Sequence, residues 1–257
     1  MKKLVITLLV LIALFVGADF GVAAAAEYQV SKKMREQLKL NQDPAVRING
    51  FPFLTQAIAG DYSDIRISAD AVSFSNLRNV AIQADLHNAR ASLSDLVSGA
   101  VRSVTIDDVQ GSVKARASDV GRILGIPDLG IDAAPQDPGT AAPVGGATPA
   151  SVSGIKLTGS KDIAGMTTKF TLLGTLSLVN GEIQLTPHKL EASNTQMPQL
   201  PQALQNKFMQ DLARSFRFNL GSLPFKVTPT AVHAESGALV IEGTAQHVVI
   251  GGSGISQ

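Results

Sequence analysis

From Ile65 onward the chain alternates. Ile65, Ile67, Ala69 and Ala71 fall between Asp64, Arg66, Ser68 and Asp70. The same period of two returns at Val80, Ile82, Ala84 and Leu86, at Val104 and Ile106, and at Val109, Val113, Ala115 and Ala117. A strand with this pattern buries one face and wets the other, as in an antiparallel sheet. Tyr62–Phe74 alone would extend ~40 Å at ~3.3 Å per residue, and strands that long twist and curl. Beyond residue 154 the pattern resumes. Met166, Phe170, Leu172, Leu176 and Leu178 alternate with polar residues up to Asn180-Gly181, the signal for a type I′ hairpin. Pro187 in the returning strand predicts a bulge or an edge. A second hairpin turns around Ser236-Gly237.

Elsewhere the period lengthens. Val22, Ala26, Val30, Met34 and Leu38 recur every four residues, as do Leu200, Leu204, Phe208, Leu212 and Phe216. Each set predicts a helix with an apolar stripe, the first spanning about residues 21–40. Asp119 to Leu124 reads as a short helix. Residues 126–154 are rich in Pro, Gly and Ala and have no period, so they read as a flexible linker. The expected fold class is α+β, a long curved antiparallel sheet wrapped on amphipathic helices. Residues 19–125 and 155–250 would be the two halves of one domain, and 251–257 a flexible tail. Inward-facing positions are often small, as at Ala84, Ala115, Gly174, Gly243 and Ala245. Small residues let backbones approach closely, or they leave room for an apolar ligand.

The N-terminus changes the picture. Lys2 and Lys3 precede an uncharged run from Leu4 to Ala18, and Asp19 is the sole charge before Glu27. Residues 1–18 read as a signal peptide, cleaved after Ala18 or within Ala23 to Ala26, or as an uncleaved anchor. A buried helix is the remaining alternative, while both of these readings export the body, to the periplasm or cell envelope. Losing Lys2 and Lys3 would leave it nearly neutral. The cluster Lys32, Lys33, Arg35 and Lys39 could meet anionic head groups, or simply be a solvated helix face.

Composition mostly excludes. The 257 residues carry a net charge of +1 and no stripe of cations and aromatics, so nucleic acid is not an expected partner. With no cysteine there is no disulfide, thiolate metal site, cysteine nucleophile or lipid-bearing thiol. His87, His188, His233 and His247 lack ligand spacing, and Asp107-Asp108 and Asp61/Asp64 read as solvated turns, so no metal or cofactor is expected. Ser153-Gly-Ile-Lys156 matches a serine–lysine pattern but lacks the elements that accompany it in enzymes. No catalytic residue is expected.

The segment "GFPFLTQ", Gly50 to Gln56, is the distinctive one. It resembles the signature of the LmeA-like (lipomannan elongation factor A-like) family of exported phospholipid-binding proteins. "LPFKVTPTAVHAESGALVIEGTA", Leu223 to Ala245, and "SVKARASDVGRILG", Ser112 to Gly125, are also similar to that family. The resemblance implies a tubular lipid-binding fold with an apolar tunnel, a phospholipid partner such as a phosphatidylinositide, and a role in lipoglycan assembly without a catalytic centre. The resemblance carries over no residue-level site; from the residues themselves Phe51, Phe53, Leu54, Phe208, Leu212 and Phe225 are inferred as candidate acyl-chain contacts. Thr55 and Gln56 are candidate head-group contacts. The rings around Pro52 would cap the core, rim the tunnel, or do both, and a membrane surface would supply the lipid to a monomer. The competing reading is a periplasmic scaffold with a filled core and no lipid ligand.

Overall fold

The computed structural model describes residues 2–74, 77–92, 94–95, 103–135, 151–163, 166–193, 201–216, 218–219, 227–251 and 254–256. The chain is α+β, with two antiparallel sheets. The first has seven strands: β1 (Ala45–Asn49), β2 (Asp61–Phe74), β3 (Leu77–Arg90), β4 (Ser103–Arg116), β11 (Ala238–Gly251) and β10 (Thr228–Glu235) follow one another, and β12 (Gly254–Ser256) pairs with β11. The second has five, in the order β5 (Gly130–Ala134), β6 (Ser151–Ile163), β7 (Met166–Val179), β8 (Glu182–Ser193) and β9 (Phe218–Asn219). Long antiparallel strands are present as expected, but they divide between two sheets. β1 and β5 lie where the sequence pattern gave no strand. Residues 130–134 and 151–154 belong to strands although they fall inside the expected linker, and 136–150 lie outside the described residues.

The chain divides into two compact units that interleave along the sequence. The first comprises Met1–Ala71, Ile82–Gly111 and Ala245–Gln257, and the second Val72–Ala81 and Ser112–Thr244. Each has its own core.

In the first unit, α1 (Lys2–Leu38) is one continuous helix. It packs on β1 and on α2 (Phe53–Ala59). The stripe that packs is Ala23, Ala26, Val30 and Met34, with Asp19 and Ser31 also buried. Val22 and Leu38, expected in the stripe, are 40% and 61% exposed. A strict spacing of four advances about 40° per step on a helix of 3.6 residues per turn, so its two ends drift off the buried face. Val46 and Ile48 of β1 sit opposite Ile67 and Ile65 of β2, and these pairs face the helix. In β3 the alternation flips phase. Leu86 packs inward, then Ala89 does and, just past the strand, Ala91, with the left-handed Asn88 (φ 53°) after Leu86. In β11 Ala245 and Val248 are buried on either side of His247 (φ 52°). One extra residue in a strand reverses which side chains face in.

The second unit is built on β5–β9. The Asn180-Gly181 turn has φ 51° and 77°, both positive as a type I′ turn requires. Across from Leu173 and Gly174 the register slips between Lys189 and Pro187, so Pro187 does mark a bulge. α4 (Gln202–Ser215) lays Phe208, Leu212 and the following Phe216 onto the sheet's apolar residues, among them Leu172 and Leu185. Leu200, expected in the same stripe, lies outside the described residues. β10 contributes Val232 and Ala234 to this core, and the Ser153 hydroxyl donates to the Val232 carbonyl at 2.9 Å. A Cβ on Gly174 would lie 2.7 Å from the Thr186 carbonyl oxygen, so its role is close backbone approach.

α3 (Ala117–Leu124) ends at Gly125, left-handed at φ 68°. The Ile126 N–H then donates to the Gly121 carbonyl at 2.7 Å. A Cβ at Gly121 would collide with the Ile126 carbonyl oxygen, which leaves no space for alanine. Gly121→Ala is expected to destabilise the protein by about 1–3 kcal/mol, an overpacking cost. In urea unfolding the midpoint falls and the slope stays the same.

Candidate functional site

The described residues expected at a site fall at two places, one in each unit. The signature segment belongs to the first. The chain turns at Gly50 (φ 113°), where a Cβ would stand 2.5 Å from Gln56 Nε2. The Phe51–Pro52 bond is cis, and α2 begins at Phe53. Its N-terminus has no local cap, because Pro52 occupies that position and offers no side-chain acceptor. The acceptor comes from α1. The Asp19 carboxylate accepts the Phe53 and Leu54 N–H groups through its two oxygens, each at 2.8 Å, and Asp19 is 1% exposed. Two further residues of α1 hold the same unit: Glu27 accepts the Ile48 N–H at 2.7 Å, and the Ser31 hydroxyl donates to the Pro44 carbonyl.

Around this clamp the signature residues separate. Phe53 is 1% exposed, its ring 6.4 Å from that of Tyr62, and is part of the core. Phe51 is 58% exposed and stacks on Phe20 at 6.1 Å. Leu54 is half-buried. Thr55 is exposed, and its hydroxyl donates to the Pro52 carbonyl at 2.8 Å. Gln56 bridges inward: its Oε1 accepts the Ser63 N–H at 3.2 Å and its Nε2 donates to the Asn49 carbonyl at 3.5 Å. Both residues expected at a head group thus have partners within the fold.

In the second unit Phe208 and Leu212 are 7% and 2% exposed. Phe208 meets Phe170 edge to face at 5.0 Å. Phe225 lies outside the described residues. Beside that ring pair is an open cleft of about 800 Å³. It lies near the end of the sheet where β6 turns into β7, at the first turn of α4, which contributes Gln205. Phe170, Leu190 and Ala192 form its apolar part, and Thr158, Ser160, Lys169 and Thr171 its polar part. A smaller cleft of about 240 Å³ lies between α4 and Pro187 of β8.

Asp128 holds the rim of the larger cleft. Its carboxylate accepts the Ser160 N–H at 2.9 Å. That bond, then the Ser160 hydroxyl, and to a lesser degree the Lys169 charge, hold its pKa below the ordinary value. Of the histidines, His188 shares a hydrogen bond with Thr175 at 2.6 Å beside the bulge, and His233 lies 3.6 Å from Glu235 and 3.8 Å from Glu242. Among the described residues no three His, Asp or Glu side chains are placed to hold a metal ion.

Sequence patterning missed Asp19, Phe20, Phe170 and the whole polar rim of the cleft. The one available signal was paired. A lone carboxylate stands in an apolar helix, and a helix start at Phe51-Pro52-Phe53 has no capping side chain of its own.

The cleft places apolar and polar side chains side by side. The chain belongs to the LmeA-like phospholipid-binding family, whose model matches residues 17–244. No curated protein and no solved structure is matched by the chain.

Two measurements probe these sites. In Asp19→Ala the Phe53 and Leu54 amides lose their acceptor, a cost of about 1–3 kcal/mol. Hydrogen exchange at those two amides should accelerate ahead of the rest of the first unit. At the cleft, a depressed carboxylate pKa means that the Asp128–Ser160 contact is intact above the ordinary value of 3.8 and is lost as pH falls through the lower, folded value. The Ser160 amide resonance should titrate with a midpoint below 3.8, and the step should vanish in Asp128→Asn.

Proposed function

We propose that this protein is an exported cell-envelope carrier that holds a phospholipid without transforming it and supports assembly of a lipid-linked glycan of the lipomannan type. The observation that carries the reading is the family match across residues 17–244. The cleft in the second unit supplies a physical route. An acyl chain enters beside Phe170, Leu190 and Ala192 and continues under α4 along Phe208 and Leu212, which together form an apolar tunnel when the chain is present. The phosphate and hydroxyl groups remain at the rim with Ser160, Thr158 and Lys169. A phosphatidylinositide fits the family resemblance.

The energetics favour chain burial over head-group contacts. Each buried methylene contributes ~0.8 kcal/mol, so a ~16-carbon chain yields on the order of 10 kcal/mol before the costs of capture are subtracted. One lysine beside two carboxylates, Asp128 and Glu191, could not supply that alone. The signature segment of the first unit acts in this account as structure, with Phe53 in the core and Gln56 tying the turn.

The scaffold reading rests on a specific observation too: Phe208, Leu212 and Phe216 are nearly inaccessible, packed against the chain's own side chains. Native mass spectrometry of the full chain, extracted in mild detergent, separates the two. The carrier reading expects a mass increment of one phospholipid, lost in Ala192→Trp, where the indole fills the cleft floor. Bare-protein spectra in repeated preparations would contradict it and favour the scaffold.

A further inference from the structure

The first unit carries an apolar tip that the lipid-carrier reading does not use. Phe20 is 63% exposed, Phe51 58% and Ile58 87%. Phe20 belongs to α1, Phe51 directly precedes α2, and Ile58 lies on α2 one turn after Leu54, turned away from the buried Phe53 and Ala57. The Phe20 and Phe51 rings stack on each other, and both still keep more than half of their surface open. Large apolar groups exposed together mark a surface that meets something apolar. We infer that Phe20, Phe51 and Ile58 form a tip that inserts into the surface of a phospholipid bilayer.

Continuity with α1 identifies the occupant. The same helix that presents Phe20 exposes a largely apolar, uncharged run from Leu4 to Ala18, including Leu4, Leu8, Leu11, Leu14 and Phe15, and is long and apolar enough to cross a membrane. Asp19 would oppose insertion at the junction, since an unpartnered carboxylate is costly in an apolar medium. It is instead turned onto the two free N–H groups of α2, where its charge meets the positive end of that helix. The clamp therefore does two jobs. It hides the one charge between Lys3 and Glu27, and it ties Phe51 and α2 to the helix at the level of Phe20. Aromatic and branched apolar side chains at such a level belong in the head-group and upper acyl zone.

The absence of cysteine makes the tip directly testable. Full-length single-cysteine variants Phe51→Cys, Ile58→Cys and, as control, the exposed Arg47→Cys on β1 are labelled with an environment-sensitive fluorophore. They are reconstituted with equimolar phosphatidylcholine and phosphatidylglycerol vesicles carrying a nitroxide near the head group. The tip predicts blue-shifted emission at 51 and 58, quenched several-fold more strongly than at 47. Equal quenching at all three positions overturns it. So does a blue shift without nitroxide quenching, which would mean that the tip is covered by a second copy or another protein. Because the readout is label depth, its failure leaves the lipid-carrier reading intact, and loss of a co-purifying lipid leaves the tip intact.

Discussion

An antiparallel sheet with one apolar face must cover that face, and the cover available to the second unit is shorter than the face. β6, β7 and β8 run 13, 14 and 12 residues, roughly 40 Å each at ~3.3 Å per residue. α4 has 14 residues and so spans about 21 Å at 1.5 Å per residue. β10 and α3 cover more of the sheet through Val232, Ala234, Val120 and Leu124. Where α4 begins, near the β6–β7 turn, the cover gives out and the cleft opens. The position of the cleft follows from this mismatch of lengths. Its lining draws on both faces of β7: alternation sends Phe170 to the core side and Lys169 and Thr171 to the other, and the cleft at the end of the sheet is lined by all three.

The first unit solves a different problem. Helix α2 is short and begins at a proline, so it cannot cap itself, and α1 must enter the fold with a charged group inside an apolar sequence. One contact answers both needs. Asp19 satisfies two N–H groups, and those N–H groups satisfy Asp19. Consequently α1 from Asp19 onward is part of the folded unit, fastened again by Glu27 and Ser31. Removal of a leader after Ala18 preserves the clamp. Cutting within Ala23 to Ala26 would discard it together with Phe20. The family match, which starts at residue 17, includes this clamp.

Much of the fold was legible because its signals are local. Alternation gave β2 almost to the residue, and Asn180-Gly181 gave the β7–β8 turn, since both depend on neighbours in sequence. The five residues of β1 and of β5 are too short to show a period, and β5 hides in a stretch whose Pro and Gly content reads as linker. The flips at Asn88 and His247 were invisible because a non-glycine residue with positive φ leaves no mark in the polarity pattern. The site was harder still. Phe51 and Phe53 look equivalent in sequence, yet one is core and the other surface. What separates them is the Asp19 contact, which spans 34 residues to Phe53. Phe208 and Leu212 were found as a stripe, but the cleft at the first turn of their helix depends on where that helix starts over the sheet, which no single residue announces.

The central claim is that the uncovered end of the second sheet receives an acyl chain. Nuclear magnetic resonance of the isotope-labelled full chain, titrated with a short-chain phosphatidylglycerol kept below its micelle concentration, tests this most directly. Saturable shifts centred on Phe170, Leu190, Ala192 and Gln205, with smaller ones at Phe208, are the predicted result. Resonances there that stay fixed throughout the titration would contradict the account.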